Sequence, residues 1–253
     1  MTESAKQFNA RADQYAASEV HRFGPSLPVL IEYAAPTKAD LALDVATGTG
    51  NTALALAPHV ARVTGVDLAE KMLAHAQARA AEEGHANANF VQGSAEELPF
   101  ADATFTLVTS RHAPHHFRKL ERFLAEAYRV LQSGGRLVVA DQISPTPEIQ
   151  PWLDRYQTTR DPSHYAQRTE QAWRELAEQA GFVWVEETLV PYRLDFDWWT
   201  KQSGCTPETV AQLREQAAAL TPAERDLVGA EFDEAGQLIA HTDQMMVVRL
   251  EKR

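Results

Sequence analysis

The segment "LALDVATGTGNTALALA", residues 41–57, decides how this chain is read. A short apolar run, Leu41 to Val45, enters a turn with small residues at alternate positions, Ala46, Gly48 and Gly50. An alanine-rich helix leaves the turn from about Asn51. Strand, glycine turn and helix together open a nucleotide-binding βαβ unit, whose helix N-terminus usually cradles phosphate. Asp44 breaks that expectation. A carboxylate at the mouth of the turn repels phosphate and attracts ammonium. The ligand should therefore be cationic where it meets the loop, as an amino-acid moiety is.

Downstream, the same grammar repeats. "RVTGVDL" is an apolar run, and "AEKMLAHAQARAAEEG" is a helix closed by Gly84. "ANFVQG", "TFTLVTS" and "GRLVVADQI" are three further runs, and the helix "KLERFLAEAYRVLQ" precedes the last of them. Short apolar runs alternating with helices indicate an α/β fold with a parallel sheet covered on both faces. Beyond Pro145, two helical stretches surround a polar turn. "FVWVEETLVPYRLDF" then reads as a strand, residues 197–220 as helical, and "QMMVVRLEK" as a last strand. Residues 1–35 read as helices punctuated by Pro25, Pro28 and Pro36.

Asp67 ends the second run, 17 residues after Gly50. An acidic side chain there can accept both hydroxyls of a ribose. Asp44 and Asp67 together ask for a nucleoside joined to an amino acid. S-adenosylmethionine is such a molecule, and its sulfonium adds positive charge.

The chain has 253 residues, 44% of them hydrophobic, enough for one sizeable core. A formal net charge of -11 disfavours long-range attraction to nucleic acid or an anionic membrane. Cys205 is the sole cysteine, so an internal disulfide is impossible and a cysteine metal site is implausible. No apolar run reaches a membrane span, and the N-terminus lacks a signal-peptide core. A soluble cytoplasmic protein is expected, monomeric or homodimeric, with no nucleic-acid or membrane partner.

"LDVATGTG", "VTGVDLAEKML", "FVQGSAEELPF", "FTLVTSRHAPHHF" and "EAYRVLQSGGRLVVAD" resemble, in order and spacing, the motifs of class I S-adenosylmethionine-dependent methyltransferases. The group they resemble most is the small-molecule enzymes of ubiquinone/menaquinone-biosynthesis type. The resemblance is strong over residues 38–145 and weak beyond. "FNARADQYAASEVHRFG" also looks like that group's N-terminal lid helix.

The resemblance implies a doubly wound, mostly parallel, seven-stranded Rossmann-like sheet. Lid helices would occupy residues 1–37 and the core 38–253, with helical insertions at about 146–170 and 197–235. It also implies roles. Asp44, with the turn Ala46, Thr47 and Gly48, would hold the methionine end of S-adenosylmethionine. Asp67 would take the ribose hydroxyls, and Leu68 and Met72 would flank the adenine. Gly93, Ser94 and Ala95 would cover the adenine edge. Ser110 and Arg111 would face the methionine portion, and Tyr15 would close over it. Two departures stand out. The family often has glycine at position 46, so alanine there is expected to keep the turn at negative φ. It usually has an acidic residue where Ser94 stands.

Methyl transfer from a sulfonium to a small, partly hydrophobic acceptor is an in-line displacement, so positioning dominates. A base is needed only for a protonated nucleophile. His115 and then His116 are the candidate bases, with His112 beside them; orientation of the loop is the alternative role. No metal site is expected from this cluster, because no carboxylate stands near it in the sequence. "TRDPSHYAQR" offers Arg160, His164 and Tyr165 to the pocket from a lid, with a solvated surface as the alternative. Trp199 could wall the same pocket or serve as a packing anchor. Ser18 and His21 share a helix face with Tyr15, which suits a lid. A nicotinamide-dependent oxidoreductase and a non-catalytic S-adenosylmethionine-binding protein are the rival readings.

Overall fold

A computed structural model of the protein describes residues 3–16 and 22–253, the backbone alone at 3–6 and 14–16. The first five strands are parallel: β1 (Leu41–Val45), β2 (Arg62–Asp67), β3 (Ala88–Gln92), β4 (Phe105–Arg111) and β5 (Leu131–Ile143). β6 (Phe182–Asp195) and β8 (Leu238–Lys252) complete the sheet in the order β3-β2-β1-β4-β5-β8-β6, with β8 antiparallel to both neighbours. β7 (Glu231–Phe232) pairs with β8 off this path. The expected seven-stranded sheet is thus present with one short addition.

Period-two alternation sends side chains to both faces of the sheet. Leu43, Val45, Val108, Leu137, Val139 and Val248 enter one buried cluster, which includes Phe123 and Leu124 of α5 (Leu120–Val130) and Trp173 of α7 (Glu170–Gln179). Ala42, Leu107, Val138, Ala140 and Val247 enter the other, with Leu30 and Ala34 of α2 (Ser26–Ala34) and Leu54 of α3 (Asn51–Leu56). Because both faces are buried, the strands read as apolar runs rather than as clean alternations. α4 (Glu70–Glu82) completes the first half, and α1 (Glu3–Ala16) lies on it, with Phe8 and Ala12 packed on Ala69 and Met72.

The helical insertion comprises α6 (Gln150–Arg160), α8 (Phe196–Gln202), α9 (Pro207–Ala218) and α10 (Pro222–Leu227). Residues 161–169, expected in part as helix, are irregular. Asp161 accepts the Ser163 N–H at 2.8 Å, which turns the chain instead of extending the helix. Residues 231–235, expected in a helical insertion, form β7 and a hairpin turn. Asp233 accepts the N–H groups of Ala235 and Gln237 at 3.0 and 2.8 Å, and Gly236 takes φ 74°. β8 consequently starts at Leu238, ahead of the apolar run.

Candidate active site

The sheet order reverses between β1 and β4, and the crevice beyond their C-terminal ends is where such folds place ligands. A cavity of about 260 Å³ lies there. Asp44, Ala46, Thr47, Gly48, Asp67, Leu68, Met72, Gly93, Ser94, Ala95, Arg111, His112, His116 and His164 all line it.

The turn after β1 has left-handed backbone at alternate residues: Ala46 at φ 55°, Gly48 at 54° and Gly50 at 81°. The expected negative φ at Ala46 is therefore wrong. The turn requires a left-handed residue there, and alanine adopts that strained conformation. Asp44 is buried and accepts the hydroxyls of Thr47 and Thr109 at 2.6 and 2.8 Å. Burial pushes its pKa up to about 6, against the pull of those hydroxyls and of the Arg111 charge. Asp67 accepts the N–H of Gly48 and of Ala69, both at 2.8 Å, tying the turn after β1 to the start of α4. Burial raises its pKa too, opposed by these bonds.

Arg111 ends β4 and lines the cavity, its Nε donating to Thr52 at 3.3 Å. Ser110 does not line the cavity: it is buried, with its hydroxyl on the Val45 carbonyl at 3.0 Å. Ser94 accepts the Glu96 N–H at 3.1 Å, and Glu96 itself lines the wall. His112 sits at φ 57°, a strained conformation for a residue with a Cβ.

The histidines divide by access. His115 does not line the cavity, and its Nδ1 lies 2.7 Å from Asp141. Burial pushes His115 well below its usual pKa and Asp141 up to about 7. His116 lines the cavity, with Nδ1 3.0 Å from the Ser163 carbonyl. A carbonyl can only accept, so Nδ1 carries the proton and Nε2 keeps its lone pair. Burial, then the neighbouring His115, lower its pKa, so the ring is neutral. The Ser163 hydroxyl donates to Asp161 at 2.6 Å, and Gln7 of α1 donates to the same carboxylate. His164 Nε2 is 3.1 Å from Asp154.

Three carboxylates thus reach the histidine cluster, contrary to the expectation of none. They arrive from β5, α6 and the following loop, at positions distant in sequence. Among the described residues no group of three or more His, Cys, Asp or Glu is arranged to hold a metal ion. Trp199 sits in the core of the insertion, and the half-buried Arg160 packs on it, 4.5 Å from guanidinium to ring centroid; neither lines the cavity. The side chain of Tyr15, and all of Ser18 and His21, lie outside the described residues. Sequence reasoning did not single out Phe8, Thr52, Glu96, Phe117, Arg118 or Ser163, which also line the cavity. Of these, Phe8, Glu96 and Phe117 lie inside recognised motifs and carried a usable signal.

This fold, with acidic side chains at the ends of β1 and β2 in the wall of one crevice, defines an α/β protein of the nucleotide-binding kind. Residues 43–139 match the family model described as a methyltransferase domain. The uncharacterised methyltransferase YcgJ of Bacillus subtilis is 29% identical over 249 residues, 97% of this chain and 98% of that one. Its crystal structure matches with a TM-score of 0.85 at 28% identity, covering 90% of this chain and 98% of that chain. A protein from Bacillus halodurans, provisionally described as a methyltransferase, has a TM-score of 0.87 at 31% identity, covering 90% and 99%. The ubiquinone/menaquinone biosynthesis C-methyltransferase UbiE of Dinoroseobacter shibae is 40% identical over 132 residues, about half of each chain at 50% and 52%. The chain belongs to the class I S-adenosylmethionine-dependent methyltransferases. The similarity to YcgJ runs well past residue 145, where the motifs had faded.

Its cofactor is S-adenosylmethionine. The donor set fits that molecule: a buried and a half-buried carboxylate and a glycine turn, with Leu68 and Met72 as apolar walls. Membership of this family sets aside the nicotinamide and non-catalytic readings. Among the described residues no helix is long and apolar enough to cross a membrane.

Proposed function

We propose that this methyltransferase acts on a small, partly apolar acceptor bearing a dissociable proton, and that His116 receives that proton. The observation that carries the reading is the imidazole of His116 in the cavity wall, with Nδ1 bound to a backbone carbonyl and Nε2 left basic. The chemistry that S-adenosylmethionine supplies when bound is an electrophilic sulfonium methyl and a neutral thioether leaving group. Asp44 attracts the ammonium of the cofactor, and Asp67 accepts its ribose hydroxyls. Leu68, Met72, Ser94 and Ala95 flank the adenine. Arg111 balances charge beside Asp44.

A proton on the attacking atom becomes strongly acidic as the new bond forms, so a weak, neutral imidazole is base enough. Asp161 and Ser163 hold that imidazole in one tautomer. Phe8 meets His116 edge-on at 5.1 Å between ring centroids, which makes α1 a lid over the acceptor end. His115, paired with Asp141 behind the wall, supports the loop. Apolar Phe8, Phe117 and Ala113 suit an acceptor with hydrophobic parts.

The test is labelled S-adenosylmethionine with a panel of phenols, alcohols and enolisable carbonyl compounds. His116→Ala should abolish turnover about 10²–10⁴-fold while leaving S-adenosylhomocysteine affinity unchanged. Full activity in that variant would remove His116 from the reaction.

A further inference from the structure

We propose that the acceptor is a flat ring bearing an anionic group, a carboxylate or phosphate, held by Arg118 and Tyr165. The inference rests on the reading above and names the substrate class of that same site. Both residues line the cavity, and Tyr165 is 47% exposed, so its ring is open to a partner.

The guanidinium of Arg118 lies 5.9 Å from the Tyr165 ring centroid, and that of Arg168 lies 6.0 Å from it. Neither forms an ion pair among the described residues. Elsewhere in the molecule, Arg129, Arg136, Arg193 and Arg214 sit 2.8, 2.9, 2.7 and 3.0 Å from a carboxylate. Arg118 is thus a guanidinium in the cavity wall with no carboxylate paired to it among the described residues, whereas Arg168 is half-buried outside the lining, under the influence of Asp141, Glu121 and Asp154. A planar, forked cation beside an open aromatic face is suited to a planar anion.

The loop itself fixes these groups relative to the base. Tyr165 and Ala166 donate their N–H groups to the His115 carbonyl at 2.9 and 3.1 Å, so Tyr165 is tied to the residue preceding His116. Phe117, between His116 and Arg118, is buried in the core. Glu96 is the carboxylate of the wall that would oppose an anion nearby; one of its oxygens accepts the Lys119 N–H at 3.0 Å. Asp44 and Asp67 lie at the C-terminal ends of β1 and β2, at the proposed cofactor end of the cavity.

The experiment is calorimetric titration of the S-adenosylhomocysteine-loaded protein with 4-hydroxybenzoate, phenyl phosphate and neutral 4-hydroxybenzamide. At least one anion should bind about tenfold or more tightly than the amide, as a charged hydrogen bond implies. Arg118→Ala should erase that preference without changing S-adenosylhomocysteine affinity, and Tyr165→Ala should weaken all three ring compounds. Preference for the carboxylate or for the phosphate identifies the group. Equal binding of anions and amide, or equal losses for both in Arg118→Ala, would overturn the subsite and leave the cofactor reading intact. Failure of S-adenosylhomocysteine itself to bind would overturn the reading beneath it.

Discussion

In the proposed site, Asp44 is the residue that meets the ammonium group of the cofactor. With its pKa pushed up to about 6 by burial, it is largely ionised at neutral pH and protonated in mild acid. Only the ionised form attracts an ammonium group. Affinity for S-adenosylhomocysteine should therefore rise with pH through about 6 and level off above about 7. Calorimetry should give binding about tenfold weaker at about pH 5 than at about pH 7. Asp44→Asn should flatten that dependence, and an unchanged pH profile in the variant would detach it from Asp44. Ala46 offers a second test. Its φ of 55° is costly for alanine and free for glycine, so Ala46→Gly should stabilise the protein by roughly 0.5–1 kcal/mol in urea denaturation. Destabilisation would show that the alanine methyl matters more to packing than to strain.

At the scale of elements, one buried pair staples the sheet's front edge. Asp40 precedes β1 and accepts from Thr37, Thr106 of β4 and Arg136 of β5, the last at 2.9 and 3.1 Å. Burial alone would raise its pKa, but the bonds from Arg136 and Thr106 outweigh it and hold the carboxyl well below the usual range. A depressed folded pKa contributes stability above the unfolded value of about 3.9 that disappears as pH falls below it. Asp40→Ala should cost about 3 kcal/mol at neutral pH, by leaving Arg136 unpaired, and much less in acid. Equal losses at both pH values in denaturant titrations would contradict this account. The same scale shows what the sequence made legible. β1 to β5 and their helices were readable because strands buried on both faces are plain apolar runs. β7 was not, since two residues and a turn around Asp233 and Gly236 carry little periodic signal. Nor were Asp141, Asp154 and Asp161 as partners of the histidines, because only the packing of the insertion on β5 brings them together.

Across the whole molecule, the ordered motifs from Asp44 to Ala95 named residues that do line the cavity, while its other end was legible only in part. His116 and His164 reached the wall, but Trp199 went into the insertion's own core and Arg160 packs on its ring at the edge of that core. The residues proposed to recognise the cofactor lie in short motifs tied to strand ends. The proposed acceptor end is assembled from α1, the loop 112–118 and the loop 161–166, whose meeting is a tertiary event. The central claim is that acidic residues at the ends of β1 and β2 select a nucleoside with a cationic amino-acid tail. The most direct measurement is calorimetric titration of the protein and of Asp67→Ala with S-adenosylhomocysteine and with NAD at neutral pH. The account predicts binding of S-adenosylhomocysteine alone, weakened by about 1–3 kcal/mol in the variant. Binding of NAD in its place, or an affinity indifferent to Asp67, would contradict it.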